Sequence, residues 1–363
     1  MACRHFFGFG AGLLWLLGCG THDTLPLDLN RLGVTVPNDV AVNGLNLNGL
    51  NLNGLNLNGL NLNGLNLNGL NLNAPGSQAL VPQLDLANVS FSSLSHPAGA
   101  ISTAGLVNDT LVGKLGDHLL QGADLIGARL EGRLTNGMAI PLRIDDVQMG
   151  TQGVRLYSIA IVSDTGPVAL CGLNNGVPVP AIVLAGYWDQ SATHVEDASS
   201  FTFGCINAAI GKCALWGYKP WATADECRNQ QCKPRPLSVW HHACVRLVRA
   251  DYCGDGIPHT RSGTMIDVYD QLSIQQSGNA DWALEAEWGQ KGASCINHTR
   301  WLLATPVLGE TDLQYVQRVC KDRLSSENHQ KCDPKRTTFN TQFGYNRRLD
   351  DRPLIRNGSP QYE

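Results

Sequence analysis

"WHHACVRLVRADYCGDG", Trp240 to Gly256, holds two histidines, two cysteines, two aspartates and two arginines in 17 positions. Its reading decides whether the chain carries a catalytic centre, a metal site or a stapled helix. On a helix that begins after Pro236, the residues Trp240, Cys244, Leu247 and Asp251 fall at i, i+4, i+7 and i+11, on one face. His242, Arg246 and Arg249 fall on the other side. A cysteine in such an apolar stripe has a raised pKa and is a poor nucleophile. The helix stops at "CGDG", where Gly254 and Gly256 permit positive φ. Along an unbroken helix Cys244 and Cys253 would lie about 13 Å apart, beyond the roughly 7 Å that a disulfide spans. Each is therefore expected to pair elsewhere and tie the helix to two parts of the fold. The same reasoning separates Cys205 from Cys213.

Adjacent histidines on a helix diverge by about 100°, so His241 and His242 do not face one metal. Structural zinc sites also favour close paired spacings, and the regular acidic spacing of a calcium loop is missing. No metal and no cofactor is expected. Asp251, Asp255, His241, His242 and His259 are the cluster from which a hydrolase could draw an acid or base. No G-x-S-x-G, H-E-x-x-H or P-loop motif supports a named class. The competing structural reading has Asp251 capping or salt-bridging while Tyr252 packs.

The N-terminus reads as an address. Arg4 precedes an apolar run, Phe6 to Leu17, too short for the about 20 residues of a membrane span. It ends in "LLGCG", Leu16 to Gly20, which resembles the bacterial lipobox. That resemblance implies cleavage after Gly18 and acylation of Cys19. Gly20, in place of an aspartate, favours the outer membrane. Of 12 cysteines, Cys3 leaves with the signal and Cys19 takes lipid. The remaining ten are Cys171, Cys205, Cys213, Cys227, Cys232, Cys244, Cys253, Cys295, Cys320 and Cys332. An even count in an exported protein implies disulfides. The net charge of −4 is not a nucleic-acid binder's balance. The expected partners are the membrane, through the lipid, and an envelope protein or polysaccharide.

Six "GLNLN" units fill Gly44 to Asn73. Alternating Leu and Asn has the strand period of two, broken by glycine at every fifth position. Two readings stay open, an elongated stalk and a short β-solenoid turn. The organisation is a signal (1–18), a tether (19–42), the repeat (43–73), a Ser/Ala/Pro-rich linker (74–100), a globular domain (101–346) and a polar tail (347–363). The first half of the domain reads as short strands, "MAIPLRIDDV", "VRLYSIAIVSD", "AIVLAGYWD" and "SFTFGC" among them. Helices are expected over Asn207–Leu215, Leu237–Ala250 and about Leu313–Leu324. The expected class is α+β with strand predominating, a disulfide-stapled domain with two or three helices behind a low-complexity stalk.

"RADYCGDG", preceded by "HHACVRLV" and followed by "GTMIDVYD" and "ALEAEW", resembles the ADYC domain, named after Ala250, Asp251, Tyr252 and Cys253. "SSFTFGC", "KCALWGYKPW" and "LIGARLEGRL" match its run, so the likeness covers most of Gly122 to Arg300. The resemblance implies an exported bacterial protein, notably of myxobacteria, with no assigned activity. "ECRNQQCKPRP", Glu226 to Pro236, looks like an insertion against that pattern, which supports pairing of Cys227 with Cys232.

Overall fold

The computed structural model describes residues 40–41, 44–45, 50–52, 86–150, 153–163, 166–228, 231–260, 264–276, 282–301, 309–320, 332 and 353–360. The signal segment, Cys19, most of the GLNLN array and the last helix beyond Cys320 lie outside the described residues.

Six strands close into an antiparallel barrel: β1 (Leu86–Ser90), β2 (Arg129–Leu134), β3 (Ala139–Met149), β4 (Arg155–Ser163), β5 (Ala181–Ala185) and β6 (Ser200–Cys205). Each pairs with the next in the chain, and β6 returns to β1 through Ser200–Ser90 and Phe201–Val89. The sequence builds this wall by simple alternation. In β2, Leu130 and Leu134 point inward between exposed Arg129, Glu131 and Arg133. In β3 the inward positions run Ile140, Leu142, Ile144 and then Val147. The skip falls where the β3–β4 register shifts, as a β-bulge requires. Strands Ile101–Val107, Thr110–Leu115 and His118–Gln121 form a separate three-stranded sheet between β1 and β2. The amide of Leu111 donates to the Tyr157 hydroxyl on β4 at 2.9 Å, joining that sheet to the barrel.

Helix α1 (Ala209–Leu215) follows β6 and packs on it. Helix α2 (Leu237–Arg249) packs on α1 with one side. With another it packs on a second sheet made from β7 (Thr264–Asp270), β8 (Leu284–Gly289), β9 (Gly292–Ile296) and β10 (Ile355–Gly358). The order in that sheet is β9–β8–β10–β7, all antiparallel, and a strand from the repeat, Leu50–Leu52, lies against the outer edge of β7. Helix α3 (Asp312–Val319) opens with a reciprocal cap. Thr311 accepts from the Gln314 amide at 3.2 Å and Gln314 accepts from the Thr311 amide at 2.7 Å.

The α+β expectation is corrected. Strands dominate, and the organising element is a closed six-stranded antiparallel β-barrel. Helices add to it and do not set the class. The domain also exceeds its expected limits of 101–346. β1 comes from the stretch read as linker, and β10 from the stretch read as polar tail. All four β10 residues are buried, because Asn357 and Arg356 find polar partners inside the sheet.

The ten domain cysteines form five bridges. Cys227 and Cys232 sit directly opposite in the hairpin Thr223–Arg228/Gln231–Pro236. Cys213–Cys244 ties α1 to α2, and Cys253–Cys320 ties the end of α2 to α3. Cys171–Cys205 fastens β6, and Cys295–Cys332 fastens β9. Cys244 and Cys253 thus do fasten the helix to two places, and Cys205 and Cys213 do part company. Such a set of disulfides places the domain in an oxidising, extracytoplasmic compartment. No helix among the described residues is long and apolar enough to cross a membrane.

Candidate functional site

The dense stretch sits where α2 meets the second sheet, and each letter of Ala250-Asp251-Tyr252-Cys253 has a separate physical task. Ala250 ends α2 in the left-handed conformation, φ 51° and ψ 41°, and its amide turns back to Leu247 O at 3.0 Å. A left-handed alanine costs roughly 1–2 kcal/mol, so its surroundings must hold it there.

Asp251 supplies part of that hold. Its carboxylate is wholly buried. It accepts from the amides of Gly254 (2.8 Å), Asp255 (3.1 Å) and Gly256 (3.0 Å) and pairs with Arg246. The loop can wrap this closely only because of its glycines. A Cβ on Gly254 would lie 2.0 Å from Lys291 O, and one on Gly256 would lie 2.2 Å from Gln190 O. Both have positive φ, 71° and 86°.

Tyr252 reaches a buried ion pair. Its hydroxyl donates to Glu285 Oε1 at 3.0 Å and accepts from the Arg300 amide at 2.9 Å, while its ring stacks on Trp288 at 5.3 Å. Burial alone would raise the Glu285 pKa. The charge of Arg300 and hydrogen bonds from Arg300 and Ser359 outweigh it and hold this carboxyl below its ordinary value. Asn357 on β10 donates to Glu285 at 2.7 Å. Arg300 in turn donates to the last carbonyls of α2, Leu247 O at 2.9 Å and Val248 O at 3.3 Å. A helix end leaves its last carbonyls short of intrahelical partners; Leu247 O accepts from both the Ala250 amide and Arg300, and Val248 O accepts from Arg300. Cys253 completes the motif by bonding to Cys320.

Arg246 clamps three segments. It donates to Gln290 O (3.0 Å) in the β8–β9 turn, to Ser191 O and Thr193 Oγ1 (3.0 Å) in the loop of the hairpin Tyr187–Trp188/His194–Val195, and to Asp251. That hairpin also brings Trp188 and His194 against the two helix histidines. Trp188 lies 5.5 Å from the His241 ring, and His194 lies 5.2 Å from the His242 ring. His241 is fully buried and donates from Nε2 to Ile210 O at 3.0 Å. His242 meets Gln290 Oε1 at 3.4 Å.

The five acid–base candidates fall into two groups, His241 beside His242 with their rings 6.4 Å apart, and His259 within reach of the charges of Asp251 and Asp255. Among the described residues, none of the His241, His242 and His259 rings is hydrogen-bonded to Asp251 or Asp255. Asp255 folds back onto the Ile257 amide at 2.9 Å, and His259 lies against the Tyr252 ring at 5.8 Å. No group of three or more His, Cys, Asp or Glu among the described residues is placed to hold a metal ion. The arrangement can fasten barrel, helix and sheet together. Sequence reasoning missed Trp188, His194, Glu285 and Arg300, the partners that give the motif its form. It also missed Lys212 on α1, whose ammonium pKa burial pushes down to about 7. The one available signal was Glu285 itself, a charge inside the strand-like run "ALEAEW".

Burial pushes the His241 pKa down to about 3, helped by the neighbouring His242 and His194. It pushes His242 down to about 4, helped by His194 and Arg246. An unfolded histidine titrates near 6.5. As pH falls below that value the unfolded chain takes up protons that the folded chain refuses. Stability is thus full above about pH 6.5 and falls toward pH 4, on the order of 2–3 kcal/mol per unit for the two groups. Urea-unfolding midpoints taken across this range should fall steeply, and His241→Gln should flatten the slope by about half. A stability independent of pH between 7 and 5 would contradict this placement of the histidines.

The family model of the ADYC domain matches residues 122–302. The matched span includes the whole motif, helices α1 and α2, five of the six barrel strands and three of the four strands β7 to β10, and it leaves out β1, the three-stranded sheet, α3 and β10. No curated protein and no solved structure matches the chain. By its motif and by this span, the chain belongs to the ADYC domain family.

Proposed function

We propose that the protein is a lipid-anchored cell-envelope protein whose ADYC domain serves as a tethered binding or structural module. The observation that carries this reading is the commitment of Asp251. It is buried and occupied by Arg246 and three backbone amides, so the residue best placed in the sequence for acid–base work is spent on holding a loop. A general base must reach the proton it takes. The alternative is an envelope hydrolase built on Asp251, Asp255, His241, His242 and His259; among the described residues no hydrogen bond joins one of these histidines to either aspartate, though His259 feels the charge of both.

The lipobox-like "LLGCG" and the long polar run behind it supply the anchor and the reach, with the outer membrane as the expected membrane. One acyl chain holds only marginally, and two or more hold stably, as acylation of Cys19 would provide. The ligand class that suits an exported, slightly acidic chain is an envelope protein or a polysaccharide. Labelled palmitate should enter the natural chain, and globomycin should leave it unprocessed. Cys19→Ala should lose the label and leave the membrane fraction. Processing and membrane retention of Cys19→Ala unchanged from the natural chain would overturn the anchor.

A further inference from the structure

The outer edge of β7 carries a strand from the tandem repeat. Leu50–Leu52 pairs antiparallel with it, Leu52 opposite Thr264, Asn51 opposite Met265 and Leu50 opposite Ile266. These three residues are the L-N-L centre of the second of six identical units. Thr264 and Ile266 are buried, at 1% and 0% exposure, and Met265 is 36% exposed. The register thus sets leucine opposite the buried residues and asparagine opposite the exposed one.

The repeat length limits what this edge can accept. Positions along a strand alternate between faces with a period of two, and the unit is five residues long. Five is odd, so a strand running through the intervening glycine would put the leucines of the next unit on the opposite face. An edge with one buried face therefore takes a single L-N-L. The paired strand is three residues long, as this requires. Every other unit offers the same three residues, and can offer them only in place of the one that is docked.

We propose that the β7 edge is a docking site for one GLNLN unit of this chain, and that the six units are interchangeable stops. An open sheet edge invites pairing with foreign chains, and the docked unit closes it with the protein's own strand. Moving from one stop to the next pays out five residues of tether, roughly 16 Å of extended chain. The dock needs only the repeat and the sheet edge, so it stands apart from the lipid anchor and from any ligand.

Amide exchange along Thr264 to Ile266 in the full chain tests the proposal, read at the amides whose N–H faces the repeat strand, which alternate along the edge. The natural chain is compared with one in which every repeat leucine is serine, and with six chains that each keep one intact unit. Intact domain disulfides serve as the folding check. The natural chain should exchange at these amides about tenfold slower than the all-serine chain. Each single-unit chain should restore that protection as a monomer, whatever the protein concentration. Independently, Asn51→Cys combined with Met265→Cys should close a new disulfide, and so should Asn56→Cys or Asn61→Cys in its place. Equal exchange in the natural and all-serine chains would overturn the dock. Protection or bridging confined to the unit at residues 49–53 would overturn the interchangeable stops. Protection seen only in a dimer would assign the edge to a second copy and overturn docking within one chain.

Discussion

Replacing Glu285 with alanine is expected to cost the domain about 3–5 kcal/mol, the penalty for leaving a buried cation without its partner. A typical domain has only about 5–15 kcal/mol in hand. Arg300 is fully buried, and Glu285 is its ion-pair partner. The same change strips acceptors from Tyr252, Asn357 and Ser359, so one carboxylate links the ADYC turn to β10. Urea unfolding followed by tryptophan fluorescence measures the effect, since Trp288 lies in this cluster. The double change Glu285→Leu with Arg300→Met should recover much of the loss, because it removes both charges together. A single change that costs less than about 1 kcal/mol would mean that the pair does not hold the sheet.

The second large effect concerns the staples, which should differ by loop length. Cys253–Cys320 closes 67 residues of chain and Cys227–Cys232 closes 5. By the chain-entropy estimate these contribute about 4 and about 2 kcal/mol. Cys253→Ala with Cys320→Ala should therefore lower stability about twice as far as Cys227→Ala with Cys232→Ala. Unfolding midpoints of the two variants under non-reducing conditions give the comparison. Equal losses would show that the long bridge does not span folded parts.

What was legible in the sequence was local. Helix α2 could be read because Pro236 and an apolar stripe act within a few residues, but its stop falls at left-handed Ala250, ahead of the two glycines that the sequence pointed to. The Cys227–Cys232 bridge could be read because its two cysteines stand only four polar residues apart, in a segment that looks like an insertion against the family pattern. The barrel could not be read, because closure joins Ser90 to Ser200, and β1 lies in a stretch whose serines and alanines resemble a linker. Nor could β10, "IRNG", since only one of its four residues is apolar. It is a strand because Glu285, Glu287 and Trp288 on β8 await its polar side chains. The candidate site shows the same division. The sequence displayed Asp251 and the histidines but not Glu285, Arg300 or the hairpin loop of Ser191 and Thr193. Without those partners, a joint and a catalytic cluster look alike.

The central claim is that Trp240 to Gly256 is a joint stapled at both ends. Thiol alkylation followed by non-reducing peptide mapping of the natural protein tests it most directly. The account predicts that none of the ten domain cysteines is alkylated, with Cys244 recovered joined to Cys213 and Cys253 joined to Cys320. Recovery of Cys244 and Cys253 as free thiols, or joined to each other, would contradict it.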